Sequence, residues 1–349
     1  MFTPLDFLPL SSQIIFNHNR PEVIMNKACA IGIDLGGTNI RTALINSSGE
    51  IKGIHKQPTH TELEIVHIVE NIGDGIFQLL KEQKVKKEDV ISIGVGAPGF
   101  LSLDLGVIHS SPNLPTVKEA PVVKLLESLT ELPVYLENDA NAAAIGEHWI
   151  GTGQGIDNLL CITLGTGLGS GFILNGTIWH GSNDLAGELG HTTLIPGGLP
   201  CNCGREGCIE AYVSATGIVT RTQLALKEGR NSSLKEFSEK GEEPLTSRIV
   251  YEHAIKGDRL AREIFEDTGR YLAISLANVL NTLDLEMIII GGQVAKAGEL
   301  LFSPTINEVE KRAIRTKYYP TRFEQAKLGD NAGIIGAAKT AFDCSVNHS

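Results

Sequence analysis

Ile31-Gly-Ile-Asp-Leu-Gly-Gly-Thr-Asn39 and, 129 residues later, Leu160-Cys-Ile-Thr-Leu-Gly-Thr-Gly-Leu168 are the stretches that decide how this chain folds. Each opens with an apolar run, residues 31–34 and 160–163, that predicts a strand. Each then turns on closely spaced glycines and resumes as a second strand, at 40–46 and at 171–175. A further turn signal follows in both copies. Asn46-Ser-Ser-Gly49 precedes a third strand beginning at Ile51, and Asn175-Gly176 is a hairpin dipeptide. The interval from Asp34 to Asn46 is 12 residues, as is that from Thr163 to Asn175. Strand, turn, strand and turn repeated in register imply two lobes of similar fold, each presenting a Gly-rich hairpin tip to the other.

Outward from these copies, strand and helix patterns alternate. Helices are predicted at 62–84, 122–130 and 141–149, with apolar strands at 90–96 and 134–137 between them. After the second hairpin come a Cys-rich loop and helical patterns from 214 to about 313, broken by one strand at 287–290 that ends on Gly291-Gly292. Residues 228–246 are polar and read as an exposed loop or a frayed helix. The alternation implies an α/β architecture with mixed sheets. Residues 1–25 show no clean period and are expected to be an extension ahead of the first strand.

Composition narrows the function classes. The 349 residues suit about two domains, and a net charge of −11 lacks the basic face of a nucleic-acid binder. A phosphorylated ligand is still allowed, because backbone amides and a metal ion can supply a positive field locally. No apolar run reaches membrane-span length, and residues 1–10 contain Asp6 but no Lys or Arg to start a signal peptide. A cytoplasmic location with no membrane partner is expected.

Four motifs carry chemistry. In Asp34-Leu-Gly-Gly-Thr-Asn39, Gly36 and Gly37 leave backbone amides open to a phosphate, Thr38 offers a hydroxyl, Arg41 lies just beyond, and Asp34 can orient a metal ion on the phosphates; an ordinary Gly-Gly hairpin is the alternative. The second turn, Gly165-Thr166-Gly167, belongs to a run that fails both the dinucleotide fingerprint and the P-loop pattern. Two such turns from related lobes nevertheless suit a nucleotide held between them. Glu137-Asn138-Asp139 stands where a strand meets a helix, and a carboxylate there is stabilised as the anion and can accept a proton from an attacking hydroxyl; alternatively Asp139 only caps the helix. His191, Cys201, Cys203 and Cys208 supply one imidazole and three thiols, a closed tetrahedral set expected to hold a structural zinc ion. A disulfide or buried free thiols are the alternatives. Glu188 and Glu210 flank this loop, either as acceptors for sugar hydroxyls fixed by the metal or as solvated surface acids.

Taken together, Asp34–Asn39, Gly96-Ala-Pro-Gly99, residues 137–143, the 165–171 loop, Gly187-Glu-Leu-Gly-His191, residues 201–210 and Ile290-Gly-Gly292 resemble the ROK family (repressors, open reading frames and kinases). The resemblance runs from about residue 28 to 341 and is nearest to the family's bacterial glucokinases. It implies a two-lobed, actin-like ATPase (ribonuclease H-like) α/β fold with a zinc loop at 191–208, and phosphorylation of a sugar 6-hydroxyl with ATP, Mg2+ and structural Zn2+. By resemblance Asp139 is the general base. Asn113, Asn138, Glu188, His191 and Glu210 contact the sugar, with His191 also on the metal, and Gly291 and Gly292 lie on the adenosine side. The expected lobes are 26–140 and 141–332, with a helix at about 333–343 returning to the first. Expected partners are a hexose, glucose foremost, and further copies of the chain in a homodimer or higher homo-oligomer.

Two other readings exist. The family also includes sugar-sensing repressors, which need a DNA-reading module ahead of the first strand. Only about 27 residues precede that strand, with Arg20 and Lys27 as their basic residues, which is short and weakly charged for such a module. A kinase for N-acetylglucosamine, N-acetylmannosamine, mannose or fructose would share the 6-hydroxyl and differ by one or two pocket contacts. Ser170, where many members carry glycine, and Phe100 beside Pro98-Gly99 are departures from the family pattern.

Overall fold

A computed structural model describes residues 29–239, 244–314 and 318–347. The extension expected at 1–25 lies outside them. The first sheet contains β1 (Cys29–Leu35), β2 (Asn39–Asn46), β3 (Ile51–Pro58), β4 (Val90–Ala97) and, after a small three-stranded sheet of β5 (Phe100–Ser102), β6 (Val107–Ser110) and β7 (Lys118–Ala120), β8 (Val134–Asn138). The second contains β9 (Leu159–Leu164), β10 (Leu168–Leu174), β11 (Thr177–Ile178), β12 (Met287–Gly291) and β13 (Arg322–Gln325). Helices α1 (Ile65–Gln83), α2 (Val122–Thr130) and α3 (Asp139–Trp149) precede β9. They are followed by α4 (Glu210–Val213), α5 (Ala215–Lys227), α6 (Lys235–Glu239), α7 (Ser247–Ile255), α8 (Arg259–Leu283), α9 (Glu299–Arg312) and α10 (Ala332–Asn347).

The two large sheets have one topology. Their orders are β3-β2-β1-β4-β8 and β11-β10-β9-β12-β13, antiparallel through the hairpins and parallel beyond. The repeat read from the sequence extends into register: Asp34 faces Gly96 across β1 and β4, and Thr163 faces Gly291 across β9 and β12. Asn175 and Gly176 both adopt positive φ, the backbone that a two-residue hairpin turn requires.

Strand alternation assigns each face its partner. Ile31, Ile33 and Leu35 point into one core with α1 and α2, whereas Ala30 joins Ala43 and Ile45 against Ile334, Ile335 and Ala338 of α10. Likewise Leu160, Ile162 and Leu164 enter the core of α5, α7, α8 and α9, while Leu159 and Cys161 pack with Ala144 of α3. Helices α3 and α10 therefore lie on the facing sides of the sheets and against each other, at backbone distance. A Cβ on Gly32 would stand 2.0 Å from the Ile334 carbonyl oxygen, and one on Gly336 would stand 1.6 Å from that of Ala142. Alternation also points Asp34 and Thr163 toward this helix pair, and both line the space at its N-terminal end.

Several short elements had no sequence signal. The β5–β7 sheet, β11 and β13 run for two to four residues each, too short for a period to register. The polar stretch 228–246 includes the short helix α6 and buries Leu234 and Leu245 in the second core; residues 240–243 lie outside the described residues. Among the described residues, no helix is long and apolar enough to cross a membrane.

Candidate active site

Helix α3 begins one residue earlier than an N-cap at Asp139 would require. Asn138 is the cap: its Oδ1 accepts the N–H groups of Ala140 at 2.9 Å and Asn141 at 3.2 Å, which leaves Asp139 as the first helical residue. Asp139 Oδ1 accepts the Ala140 N–H, at 2.8 Å. The corner is anchored by Glu137, which is 2% exposed and accepts the Asn138 N–H at 2.9 Å, the Asn141 side-chain amide at 3.1 Å and His180 Nε2 at 2.8 Å. That last bond raises the affinity of His180 for its proton.

Asp139 stands in the wall shared by two cavities. The larger, about 480 Å³, is lined by Asn113, Asn138, Asp139, Glu188, His191 and Glu210, together with the Gly165-Thr166-Gly167 turn, Gly99 and Phe100. The smaller, about 260 Å³, is lined by Asp34, Asp139, Ala140, Thr163, Gly291, Gly292, Lys296 and Asp330, and by Ala332 and Gly333 at the start of α10. Two helix starts thus line the smaller cavity; Asn138 caps the Ala140 and Asn141 N–H groups of α3, and the Ala332 N–H of α10 bonds the Gly329 carbonyl. A third cavity, about 350 Å³, continues past Gln293 and Lys296 between Arg248, Tyr251 and Phe265.

The carboxyl groups sit in a demanding environment. Burial, with the charges of Asp139 and Asp330 adding and Arg41 opposing, pushes Asp34 up to about 6. Burial also raises Asp139, against the pull of the Ala140 N–H. Glu188 is raised by burial, with His191 opposing and Asp139 and Glu210 contributing.

The structure brings together every sugar-side residue named from the sequence, the second glycine turn, Asp34, Gly291 and Gly292. The first turn differs. Gly36, Gly37, Thr38, Asn39 and Arg41 line neither cavity. The Gly36 N–H is bonded to the Asn39 carbonyl and the Gly36 carbonyl accepts the Thr59 hydroxyl, while Gly37 backs onto Asn113 so closely that a Cβ would meet its carbonyl oxygen at 2.9 Å. Arg41 donates to the Asp330 carbonyl and, at 2.6 Å, to Asn331 Oδ1. Asp330, Lys296, Gln293 and His180 were not named from the sequence, although Gln293 and Lys296 follow directly on Gly291-Gly292. Gly329-Asp-Asn-Ala-Gly333, a turn opening a helix, was the one local signal that could have found Asp330.

His191, Cys201, Cys203 and Cys208 offer ligand atoms within 4.8 Å of one another. The edges Cys201 Sγ to His191 Nδ1 and Cys203 Sγ to Cys208 Sγ are both 3.7 Å. A tetrahedral zinc with Zn–S bonds of about 2.3 Å has S–S edges of about 3.8 Å. The donor set therefore fits zinc in kind, number and spacing, and all three thiols are free of disulfides. With Nδ1 on this cluster, His191 Nε2 faces Glu188 Oε2 at 3.8 Å, on the cavity side. Glu210 links the cluster to the glycine turn, with Oε1 3.6 Å from Cys201 Sγ and Oε2 accepting the Leu168 N–H at 2.8 Å. Gly167 makes room for it, since a Cβ there would stand 2.4 Å from that oxygen.

Two sheets of one topology, closing on a cleft through a pair of helices, define a two-lobed, actin-like α/β protein. A family model described as ROK family matches residues 30–343. The chain belongs to the ROK family. It is 41% identical over 308 residues to the glucokinase of Halalkalibacterium halodurans, covering 88% of this chain and 92% of that protein. A ROK family glucokinase from Streptomyces griseus, crystallised with glucose and AMPPNP, is similar with a TM-score of 0.76 at 32% identity, covering 90% of this chain and 99% of that one. The xylose repressor of Caldicellulosiruptor bescii is 31% identical over 311 residues, 88% of this chain and 76% of that protein.

Proposed function

We propose that this chain is a hexose kinase that transfers the γ-phosphoryl group of ATP to the 6-hydroxyl of glucose, with Asp139 as general base. The observation that carries the reading is the position of Asp139, which stands between an acid- and amide-lined sugar-sized cavity and a smaller one onto which two helix N-termini open. The similarity to glucokinases over most of the chain supports the same reading.

In this reading Asn113, Asn138, Glu188, His191 and Glu210 hold the sugar hydroxyls in the larger cavity. The starts of α3 and α10 direct the positive ends of their helix dipoles toward the phosphates in the smaller one. Gly291 and Gly292 lead toward adenosine. The three hard carboxylates Asp34, Asp139 and Asp330 suit the Mg2+ that accompanies ATP, not a soft metal. The sugar O6 attacks the γ-phosphorus, the bond to the β-phosphate oxygen breaks, ADP leaves, and the hydroxyl proton passes to Asp139. A buried carboxylate with raised proton affinity is a better acceptor near neutral pH than an ordinary aspartate. Positioning and charge neutralisation supply most of the acceleration. His191, Cys201, Cys203 and Cys208 would hold zinc, whose contribution is rigidity: it fixes the ring of His191 and the loop carrying Glu210. The lobes, 26–140 and 141–332 with α10 returning to the first, close over the substrates and exclude water.

The test is ADP release measured across glucose, mannose, fructose, N-acetylglucosamine and N-acetylmannosamine, with Asp139→Asn beside the natural protein. Glucose is expected to give the highest kcat/KM. The variant should bind glucose normally while turnover falls about 10²- to 10⁴-fold. Absence of sugar-dependent ADP release, or near-normal turnover in the variant, would refute the reading; a preference for another of the five sugars would replace glucose and keep the kinase.

A further inference from the structure

We propose that Glu147 is a positioning residue for the nucleotide end of the cleft, its carboxylate holding the segment that ends in the Gly329–Asp330 turn in register with the helix that carries Asp139. The assignment of the smaller cavity to nucleotide rests on the kinase reading above.

Glu147 lies on α3, about two turns beyond Asp139, and is fully buried. Among the described residues no cationic side chain pairs with it. Its carboxylate is satisfied by main-chain N–H groups from two separate segments. Oε2 accepts Thr152 N–H at 2.9 Å and Lys327 N–H at 3.2 Å, and Oε1 accepts Leu328 N–H at 2.7 Å. One segment is the exit of α3 toward the second sheet; the other runs from β13 into α10 and back to the first. These are the two places where the chain passes between the sheets, so one side chain ties both crossings together. The sequence leaves space for the tie: a Cβ on Gly151 would stand 2.2 Å from Glu147 Oε2.

The segment held in this way ends in Gly329 and Asp330. Gly329 has a φ of +56°, and Asp330 lines both the larger and the smaller cavity. Arg41, from β2, holds the same turn through the Asp330 carbonyl and Asn331 Oδ1. Glu147 and Arg41 therefore clamp one turn between two elements, and that turn sets where α10 begins and where the Asp330 side chain stands. Neither contact is made to Asn113, Asn138, Glu188, His191 or Glu210. A change in the clamp should be felt more strongly by nucleotide than by sugar.

Glu147→Gln and Arg41→Gln, singly and combined, test this. The readouts are KM for ATP and for glucose, and calorimetric titration with Mg·ADP, which needs no turnover. Each single variant should weaken Mg·ADP binding and raise KM for ATP at least tenfold, with KM for glucose within twofold of the natural protein. The double variant should be little worse than the poorer single one, because both act through one turn. Unchanged nucleotide affinity, equal losses for both substrates, or independent multiplication of the two effects would overturn the inference. If Glu147→Gln does not fold, Glu147→Asp, whose carboxylate falls a methylene short of Leu328, is read by the same criteria. Failure of both to fold would make Glu147 a stability residue and overturn it too. A natural protein that binds Mg·ADP but phosphorylates no hexose sinks the kinase reading alone.

Discussion

Replacing Asp34 by Asn should make the protein more stable and less active, and the stability gain should depend on pH in a way that the structure fixes. Asp34 lies at the inner end of β1, in the wall of the smaller cavity, where burial and the charges of Asp139 and Asp330 outweigh Arg41 and raise its pKa from 3.8 to about 6. The folded state therefore holds the proton more tightly than the unfolded chain does. The stability linked to that proton is fully present below pH 3.8 and is lost as pH rises through about 6. Once both states are ionised, the difference amounts to about 3 kcal/mol against folding. Asn has the shape of the protonated acid and no proton to lose, so the variant should escape the loss. Relative to the natural protein it should be nearly equal at pH 4 and more stable by about 3 kcal/mol at pH 8, which corresponds to roughly 5 °C in Tm for a chain of this size. Thermal unfolding in metal-free buffer from pH 4 to 8 measures this directly. Mg·ADP should raise the Tm of the natural protein more than that of Asp34→Asn, since bound cation relieves the repulsion that the variant lacks. A gain that is the same at both ends of the range, or a less stable variant at pH 8, would refute the reasoning.

Two further predictions concern the metal loop and the helix pair. Purified protein should contain about one zinc per chain by elemental analysis, and Cys203→Ser should lose it together with at least tenfold of the glucose affinity, because His191 and Glu210 are then no longer held; metal-free protein with full glucose affinity would refute the fit. Gly336→Ala should be severely destabilised, by about 3 kcal/mol or more, because its Cβ would stand 1.6 Å from the Ala142 carbonyl oxygen and α3 and α10 would have to part. A melting temperature within a degree of the natural protein would show that the helices do not pack as described.

The sequence was most legible where local chemistry repeats. Asp34 and Thr163 keep their 129-residue spacing, their strand-end positions and their glycine partners Gly96 and Gly291 across the parallel pairings, because alternation and turn chemistry are written within a few residues of each site. The cluster of His191, Cys201, Cys203 and Cys208 that could hold a metal ion was legible for the same reason, three of the four lying within eight residues. At the first glycine turn a Gly-Gly pair says nothing of what packs on it; the Gly36 carbonyl accepts the Thr59 hydroxyl and Gly37 backs onto Asn113. The identity of the helix cap, Asn138 and not Asp139, hinged on a single residue of helix onset that both side chains could have satisfied. Asp330, Lys296 and Glu147 were invisible because their significance arises only when β13, the segment after β12 and α3 meet in space.

The duplication also explains why the site has one buried acid at this point and not two. Asp34 and Thr163 occupy equivalent strand ends, and both line the smaller cavity. A carboxylate at 163 would stand in a space where Asp139 and Asp330 already raise the proton affinity of Asp34. Each added charge would raise the others further, until one or more stayed protonated near neutral pH and could neither hold a cation nor accept a proton. A threonine at that position keeps the strand geometry, adds a hydroxyl and contributes no charge. The two lobes thus share a backbone plan while the electrostatic load is carried unequally. Asp34 and Asp330 reach the cavity from the elements on one side, the uncharged glycine turn 165–167 and the metal loop frame the other, and Asp139 stands on the helix between them.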